Sequence, residues 1–382
     1  MERQLGMINK QSNAVFVIFG MGPAGLFLAR QLRRAGFYVC GIGKEDDIGR
    51  YSNCLEHYYA TEDIKTIHKI VKEITVSSKP KGYICSDQYL TMFLEEWKEV
   101  FTLIDFQEPS LELLDLIADK EALIRYCETL GIPFPKSYGG NAENENIVFP
   151  VAIKPNIKRG YSPIKKVTVI SDQKSLDEFL ENARGLGLTK EELLVQQFIP
   201  GDNRFEYGYG GYFRDGNPII DVVFQQLRQY PQGVSCYTCE VMDATECARV
   251  RTLVAPFLKA TSYCGFLQFD IKKHGQTEEL YVLDVNPRPW GSISMLEPKC
   301  GSRSLFEHGF TAEPVKVRWR FPFKEIVSFR NSNNVSYGDI RKIISECEYK
   351  KVVDLYDPND KKPFFMQISI AGMKVLKKLK HR

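Results

Sequence analysis

Apolar positions along the chain fall into short blocks whose period changes repeatedly. Residues 14–20, AVFVIFG, form a continuous apolar run of strand length, and after the MGPAG turn Leu28, Leu32 and Ala35 recur at helical spacing. A second short apolar run, FYVCGI, follows Gly36. This strand, turn, helix, strand order continues to about residue 110 through the helical DIKTIHKIVKEI and the strand-like GYICS, which predicts an open parallel α/β sheet. Residues 111–130, LELLDLIADKEALIRYCETL, read as one long helix stopped by Gly131, Pro133 and Pro135.

Beyond that stop the pattern becomes α+β. Strand-like VFPVAIKP, KKVTVI and ELLVQQFIP surround a helical DQKSLDEFLENARGLG. From about 201, EYGYGGYF, PIIDVVFQQLR, GFLQFDIKK and LYVLDVN read as strands of a larger unit, with TECARVRTLVAPFLKATSY as its helix. Signals weaken after 322. The expected division is 1–112 as a Rossmann-like domain, 113–198 as a linker helix and small unit, 199–321 as a larger α+β unit, and 322–382 as an extension without an assigned role.

A chain of 382 residues can bury a core in each of two or three such units. Its 51 basic and 48 acidic side chains leave only +3, which excludes the electrostatic footprint of a nucleic-acid protein and favours small-molecule partners. No run approaches the 18 apolar residues of a membrane span. The N-terminal MERQLGMINKQSN has no apolar core of a secretion signal, and ten scattered cysteines suit a reduced cytoplasm. Cys236 and Cys239 have CxxC spacing without a second pair, which fits a strand or loop at least as well as a metal or redox site. The basic run GMKVLKKLKHR suits either a helix end in water or contact with anionic lipid headgroups.

Three oxygen donors carry the chemistry. Asp284 and Asn286 are two apart on a strand and share a face, and a hairpin of about a dozen residues through His274 and Gly275 can bring Asp270 beside them. Hard oxygen donors suit Mg2+, which takes its other ligands from water and substrate phosphates. Two solvated acids on a hairpin remain the alternative. Lys154 stands in the apolar strand PVAIKP, where a buried ammonium needs an anion, and Lys120 lies on the preceding helix. The loop KRGYS, 158–162, could cover bound phosphates. Gly20, Gly22 and Gly25 form GxGxxG, yet no acid ends the second strand where a dinucleotide ribose would be held, and Glu45 lies beyond it. A nicotinamide or flavin oxidoreductase is therefore kept as a rival reading.

The order of these pieces from Ala14 to Ser294 resembles the ATP-grasp superfamily, through ADKEALIRYCETLGIPFP, FPVAIKP, LLVQQFIPG, and GFLQFD followed by LYVLDVNPRPWGS. The resemblance implies an N-terminal Rossmann-like domain that binds no dinucleotide, a small lid and a larger catalytic unit. It implies that Lys120 and Lys154 contact ATP phosphates, that Gln197, Phe198 and Ile199 form the hinge at adenine, and that Asp202 meets the ribose. It places the metal, Mg2+ or alternatively Mn2+, at Asp270, Asp284 and Asn286, where relatives more often carry Glu at the Asp284 position. Arg288 matches the arginine that stabilises the transferring phosphoryl group. GRYSNC and CSDQYL, with LRQYPQGVS, resemble a subgroup of predicted carboxylate-amine ligases that includes D-aspartate ligases, which makes Arg50, Asp87 and Arg228 substrate candidates, with helix capping by Asp87 and a surface role for Arg50 as the alternatives. The implied reaction is ATP-dependent C–N bond formation through an acyl phosphate, with an amino acid as one substrate. A non-catalytic ATP-binding protein is the second rival, and a homodimer is left open.

Overall fold

The computed structural model describes residues 14–75, 79–107, 109–138, 147–156, 162–345 and 347–370. Both the KRGYS loop, apart from Ser162, and the basic run after 370 lie outside them.

The N-terminal apolar runs pair in parallel, as their continuous hydrophobicity requires of strands buried on both faces. Strands β1 (Val15–Phe19), β2 (Tyr38–Gly43), β3 (His57–Ala60), β4 (Lys81–Ile84) and β5 (Asp105–Phe106) are ordered β3-β2-β1-β4-β5. Helices α1 (Pro23–Arg34), α2 (Ile64–Thr75) and α3 (Asp87–Glu96) connect them. Val17, Phe19 and Ile42 pack with Ile67, Val71 and Phe93 on one side, while Phe16, Ile18 and Val39 pack with Phe27 and Leu28 on the other.

The expected helix over 111–130 is two helices. Asp119 adopts an extended backbone between Leu111–Ala118 and Lys120–Thr129, and its carboxylate accepts from the N–H of Ala122 at 3.1 Å. The apolar periodicity carries through because both pieces bury Leu and Ile, but the Asp cap starts a new helix axis. Lys120 consequently opens a helix rather than lying in the middle of one.

A small antiparallel sheet follows, β6 (Val151–Pro155), β7 (Thr168–Ile170) and β8 (Leu193–Gln197), with β6 in the centre and the helix Gln173–Gly185 against it. The large sheet contains β9 (Glu206–Arg214), β10 (Asn217–Gln229), β11 (Ser235–Glu240), β12 (Gly265–Lys273), β13 (Leu280–Asn286), β14 (Val317–Arg320) and β15 (Lys350–Val353), in the order β13-β12-β9-β10-β11-β14-β15. The segment read as a separate extension after 322 thus supplies an edge strand: β15 pairs in parallel with β14. Among the described residues no helix is long and apolar enough to cross a membrane.

Cys236 and Cys239 both lie buried in β11, and three residues apart on a strand they point to opposite faces. Burial pushes their thiols up to about 11 and about 12. That is the reverse of a metal-binding or redox-active thiolate.

Candidate active site

The hairpin β12–β13 brings the three oxygen donors together. Asp270 is directly opposite Asp284, and Gln268 is opposite Asn286, so four polar side chains share one face. Asp270 accepts from the amides of Gln268 at 2.7 Å and Gln226 at 2.9 Å, and Asn286 donates to Gln268 at 3.0 Å. Gln226 and Gln268 were not singled out from the sequence. Both are buried; the alternation in QFD is the signal that could have marked Gln268, and Gln226, next to Gln225, carries none.

Opposite this face stands the small sheet. Lys154 on β6 reaches across to donate to the carbonyl of Leu283 at 3.2 Å and to Gln196 at 3.1 Å. Lys120 lies 3.5 Å from Asp284. Burial and the like charge of Lys120 lower the Lys154 ammonium to about 8. Burial alone would raise the Asp284 carboxyl, but Lys120, Lys154 and Lys166 outweigh it and hold it below the usual carboxylate range. Lys166, missed in the sequence because its KKV context looks like any surface charge, joins this group and donates to the carbonyl of Gly233 at 3.3 Å.

Between the two sheets lies a cavity of about 390 Å³ that touches Lys120, Lys154, Lys166, Asp270 and Asp284. Gln197, Phe198, Ile199 and Val169 line it as well, so the expected adenine hinge and the lysines expected to meet phosphate border one space. Asp202 is absent from that lining. Its carboxylate is turned to Arg204, with contacts of 2.6 to 3.1 Å, and caps a short helical turn. Glu206 lines the cavity instead, held by Lys272 at 3.1 Å and Gln229 at 2.5 Å.

The remaining expected residues divide. Arg288, just past β13, forms a two-pronged ion pair with Asp87 at the start of α3, one prong being 2.6 Å. The Asp87 side chain keeps most of its exposure, and Arg288, Lys166 and Lys120, acting against partial desolvation, hold its carboxyl below the usual range. The N-terminal unit therefore meets the loop after β13 through this pair. Trp290, in the same loop, stacks on Phe224 and lies over Gly210, where a Cβ would come within 2.9 Å of the indole. Arg50 is committed to Glu45 and to the Tyr51 and Tyr58 rings. Arg228 is buried, donates to Ser328 at 2.9 Å and to the carbonyl of Val335 at 2.8 Å, and lies over Phe329 and Tyr337. It ties β10 to the segment 325–337 and does not face the cavity.

The glycine turn is closed by a protein carboxylate. Asp47 accepts from the N–H groups of Met21 at 2.9 Å and Lys44 at 3.0 Å, so the turn already holds an internal anion where a dinucleotide phosphate would approach. Gly25 serves packing, since a Cβ there would be 2.2 Å from the carbonyl oxygen of Gly20.

The donor set suits a divalent ion only in company. Among the described residues no three His, Cys, Asp or Glu side chains form a metal cluster. Asp270, Asp284 and the amide oxygen of Asn286 are hard donors that fit Mg2+ when phosphate oxygens and water complete its shell.

A parallel N-terminal sheet, with a small sheet facing a large one across a lysine-lined cavity, is the ATP-grasp arrangement, and the chain has the ATP-grasp fold. It matches N5-carboxyaminoimidazole synthetase from Staphylococcus aureus complexed with ADP with a TM-score of 0.59 at 14% identity, over 77% of this chain and 75% of that one. It matches L-amino acid ligase from Bacillus licheniformis with a TM-score of 0.59 at 15% identity, over 78% and 73%. Among curated proteins it is similar to the D-aspartate ligase of Enterococcus faecium, 24% identical over 251 residues, covering 59% of this chain and 57% of that protein. It is also similar to D-alanine–D-alanine ligase B of Xanthomonas campestris, 26% identical over 171 residues, covering 42% and 49%. The chain thus spans about half the length of the curated relatives it matches. No family model matches it.

Proposed function

We propose that the protein is an ATP-dependent carboxylate-amine ligase with an amino acid on at least one side of the new bond. The observation that carries this reading is the convergence of Lys120, Lys154 and Lys166 with Asp270 and Asp284 on one cavity. Three ammonium groups around two carboxylates leave a cationic surplus that a polyphosphate would neutralise. The proteins it is similar to, a D-aspartate ligase, a D-alanine–D-alanine ligase and an L-amino acid ligase, point the same way.

In this reaction an oxygen of the substrate carboxylate attacks the γ-phosphorus, and the bond to the β,γ-bridging oxygen breaks to release ADP. The amine then attacks the carbonyl carbon of the acyl phosphate. A C–N bond forms, phosphate leaves and the amine gives up a proton. Lys120 and Lys154 hold phosphate oxygens as point charges, while Arg288, with its planar fork, suits the transferring group. Asp270, Asp284 and Asn286 would hold Mg2+, which withdraws charge from phosphate oxygens when bound; Mn2+ suits the same donors. Catalysis is positioning and charge neutralisation rather than covalent chemistry by the protein.

The N-terminal unit contributes the substrate side through Asp87, the small sheet acts as the lid, and the large sheet carries the metal ligands. Comparing thermal stabilisation by Mg-ATP and by NAD tests the reading. Stabilisation by Mg-ATP alone supports it, and stabilisation by NAD alone would return the glycine turn to a dinucleotide role.

A further inference from the structure

Gln268 has no part in the reaction as written, yet it joins two of the three metal ligands proposed above. It lies two residues before Asp270 on β12 and directly opposite Asn286 on β13, so the three side chains share a face. Its amide nitrogen donates to Asp270 Oδ1 at 2.7 Å and to the Phe269 carbonyl at 3.3 Å, and its side-chain oxygen accepts from the Asn286 amide at 3.0 Å. Gln226 reaches the same Asp270 oxygen at 2.9 Å from β10, across β9, where Gly208 stands opposite Asp270 with no side chain in the way.

The polarity of this chain of amides follows from its one acid. An ionised carboxylate only accepts, so a buried amide beside Asp270 must turn its NH2 arm toward it. For Gln268 that places the oxygen on the other side, and this oxygen accepts from the NH2 arm of Asn286. The oxygen arm of Asn286 then points away from Gln268. Left to itself a carboxamide has no such direction, because half a turn about its last bond exchanges two arms of similar size. With the NH2 arm turned outward, Asn286 would present a donor to a cation. Opposite Gln268 on β9 is Gly210, covered by the Trp290 indole, so that position supplies no competing side chain. The two amide donors also share Oδ1 of Asp270, which leaves Oδ2 for a cation and makes this carboxylate a one-oxygen donor of the kind Mg2+ takes.

We propose that Gln268 is a positioning residue for the metal: resting on the assignment of Asp270, Asp284 and Asn286 as Mg2+ ligands, it holds the Asn286 amide with its oxygen outward and Asp270 in one-oxygen geometry before the nucleotide arrives. Gln268 acts through these two neighbours and is not itself a ligand.

The test is calorimetric titration of the full chain with an ATP analogue bridged by a β,γ-imido group, once with Mg2+ and once with EDTA. The ratio of the two affinities reports the metal alone. Gln268→Met nearly conserves volume and removes the hydrogen bonds; it should weaken binding with Mg2+ by about tenfold or more and leave binding with EDTA within about twofold. Gln226→Met removes the other donor to the same Asp270 oxygen without touching Asn286, and should lower the ratio by less than about threefold. Asn286→Asp carries the test if Gln268→Met does not fold. It adds a negative charge beside the cation yet sets a carboxylate oxygen against the Gln268 oxygen, so it should lower the ratio. An unchanged ratio in Gln268→Met overturns the proposal, even where both affinities fall together, as does an equal fall of the ratio in Gln226→Met or a higher ratio in Asn286→Asp. Equal affinity with Mg2+ and EDTA in the unsubstituted chain overturns the metal assignment, and this proposal with it.

Discussion

The Lys154 ammonium donates to the Leu283 carbonyl at 3.2 Å, joining the central strand of the small sheet to the residue just before Asp284. Burial and Lys120 lower this ammonium to about 8. In the unfolded chain Lys154 would bind its proton up to its ordinary value of 10.5, so between about 8 and 10.5 the unfolded state holds more protons. Stability from this group therefore rises with pH across that window, and below it the charged form opposes folding.

For the nucleotide the sign is opposite. A polyphosphate favours the charged lysine, so binding should take up a proton near pH 8, and affinity should fall as pH climbs above about 8. Calorimetric titration of Mg-ATP in buffers of different ionisation enthalpy measures that uptake. Lys154→Met should abolish it and weaken turnover on the order of 100-fold or more.

Glu206 and Asp202 make a paired test of the nucleotide end. Glu206 borders the cavity, whereas Asp202 is occupied by Arg204. Glu206→Gln should raise the ATP KM about tenfold, the scale of one charged hydrogen bond, and Asp202→Asn should leave it nearly unchanged. Steady-state kinetics in ATP distinguishes the two; the reverse pattern would restore Asp202 to the ribose.

The glycine turn separates packing from ligand binding. Gly25→Ala drives a Cβ into the Gly20 carbonyl and should cost about 2 kcal/mol or more of stability. Gly22→Ala meets nothing within 4 Å and should be close to neutral. Denaturant melts of the two variants measure this directly.

Arg228 should behave as a structural residue. Arg228→Met removes two buried hydrogen bonds, leaving Ser328 with its bond to the Glu325 carbonyl and the Val335 carbonyl without this donor, at about 2–4 kcal/mol. The folded fraction should retain its KM values, which a substrate-binding arginine would not. Thermal melts together with kinetics at low temperature separate the two roles.

The sequence was most legible where one side chain had one job on a regular element. Asp270, Asp284 and Asn286 follow from strand period and hairpin length, and the Asp270–Asp284 register realises that arithmetic. Lys154 was readable because an ammonium in an apolar strand demands a partner. Reading failed where spacing is silent about direction. Asp119 interrupts a helical pattern because its cap competes with an unbroken hydrophobic stripe. For Asp202 and Arg228 the motifs give a position but not a direction: the first pairs with Arg204 and the second lies against Phe329 and Tyr337. Gln226, Lys166 and Asp47 gain their roles from residues distant in sequence.

Phosphate release from Mg-ATP, with amino acids supplied pairwise as acid and amine, tests the ligase most directly. At least one pair should release phosphate in step with ADP and an amide product, and Asp284→Asn should lower that rate on the order of 100-fold or more. ATP binding without phosphate release from any pair, or release indifferent to Asp284→Asn, would contradict it.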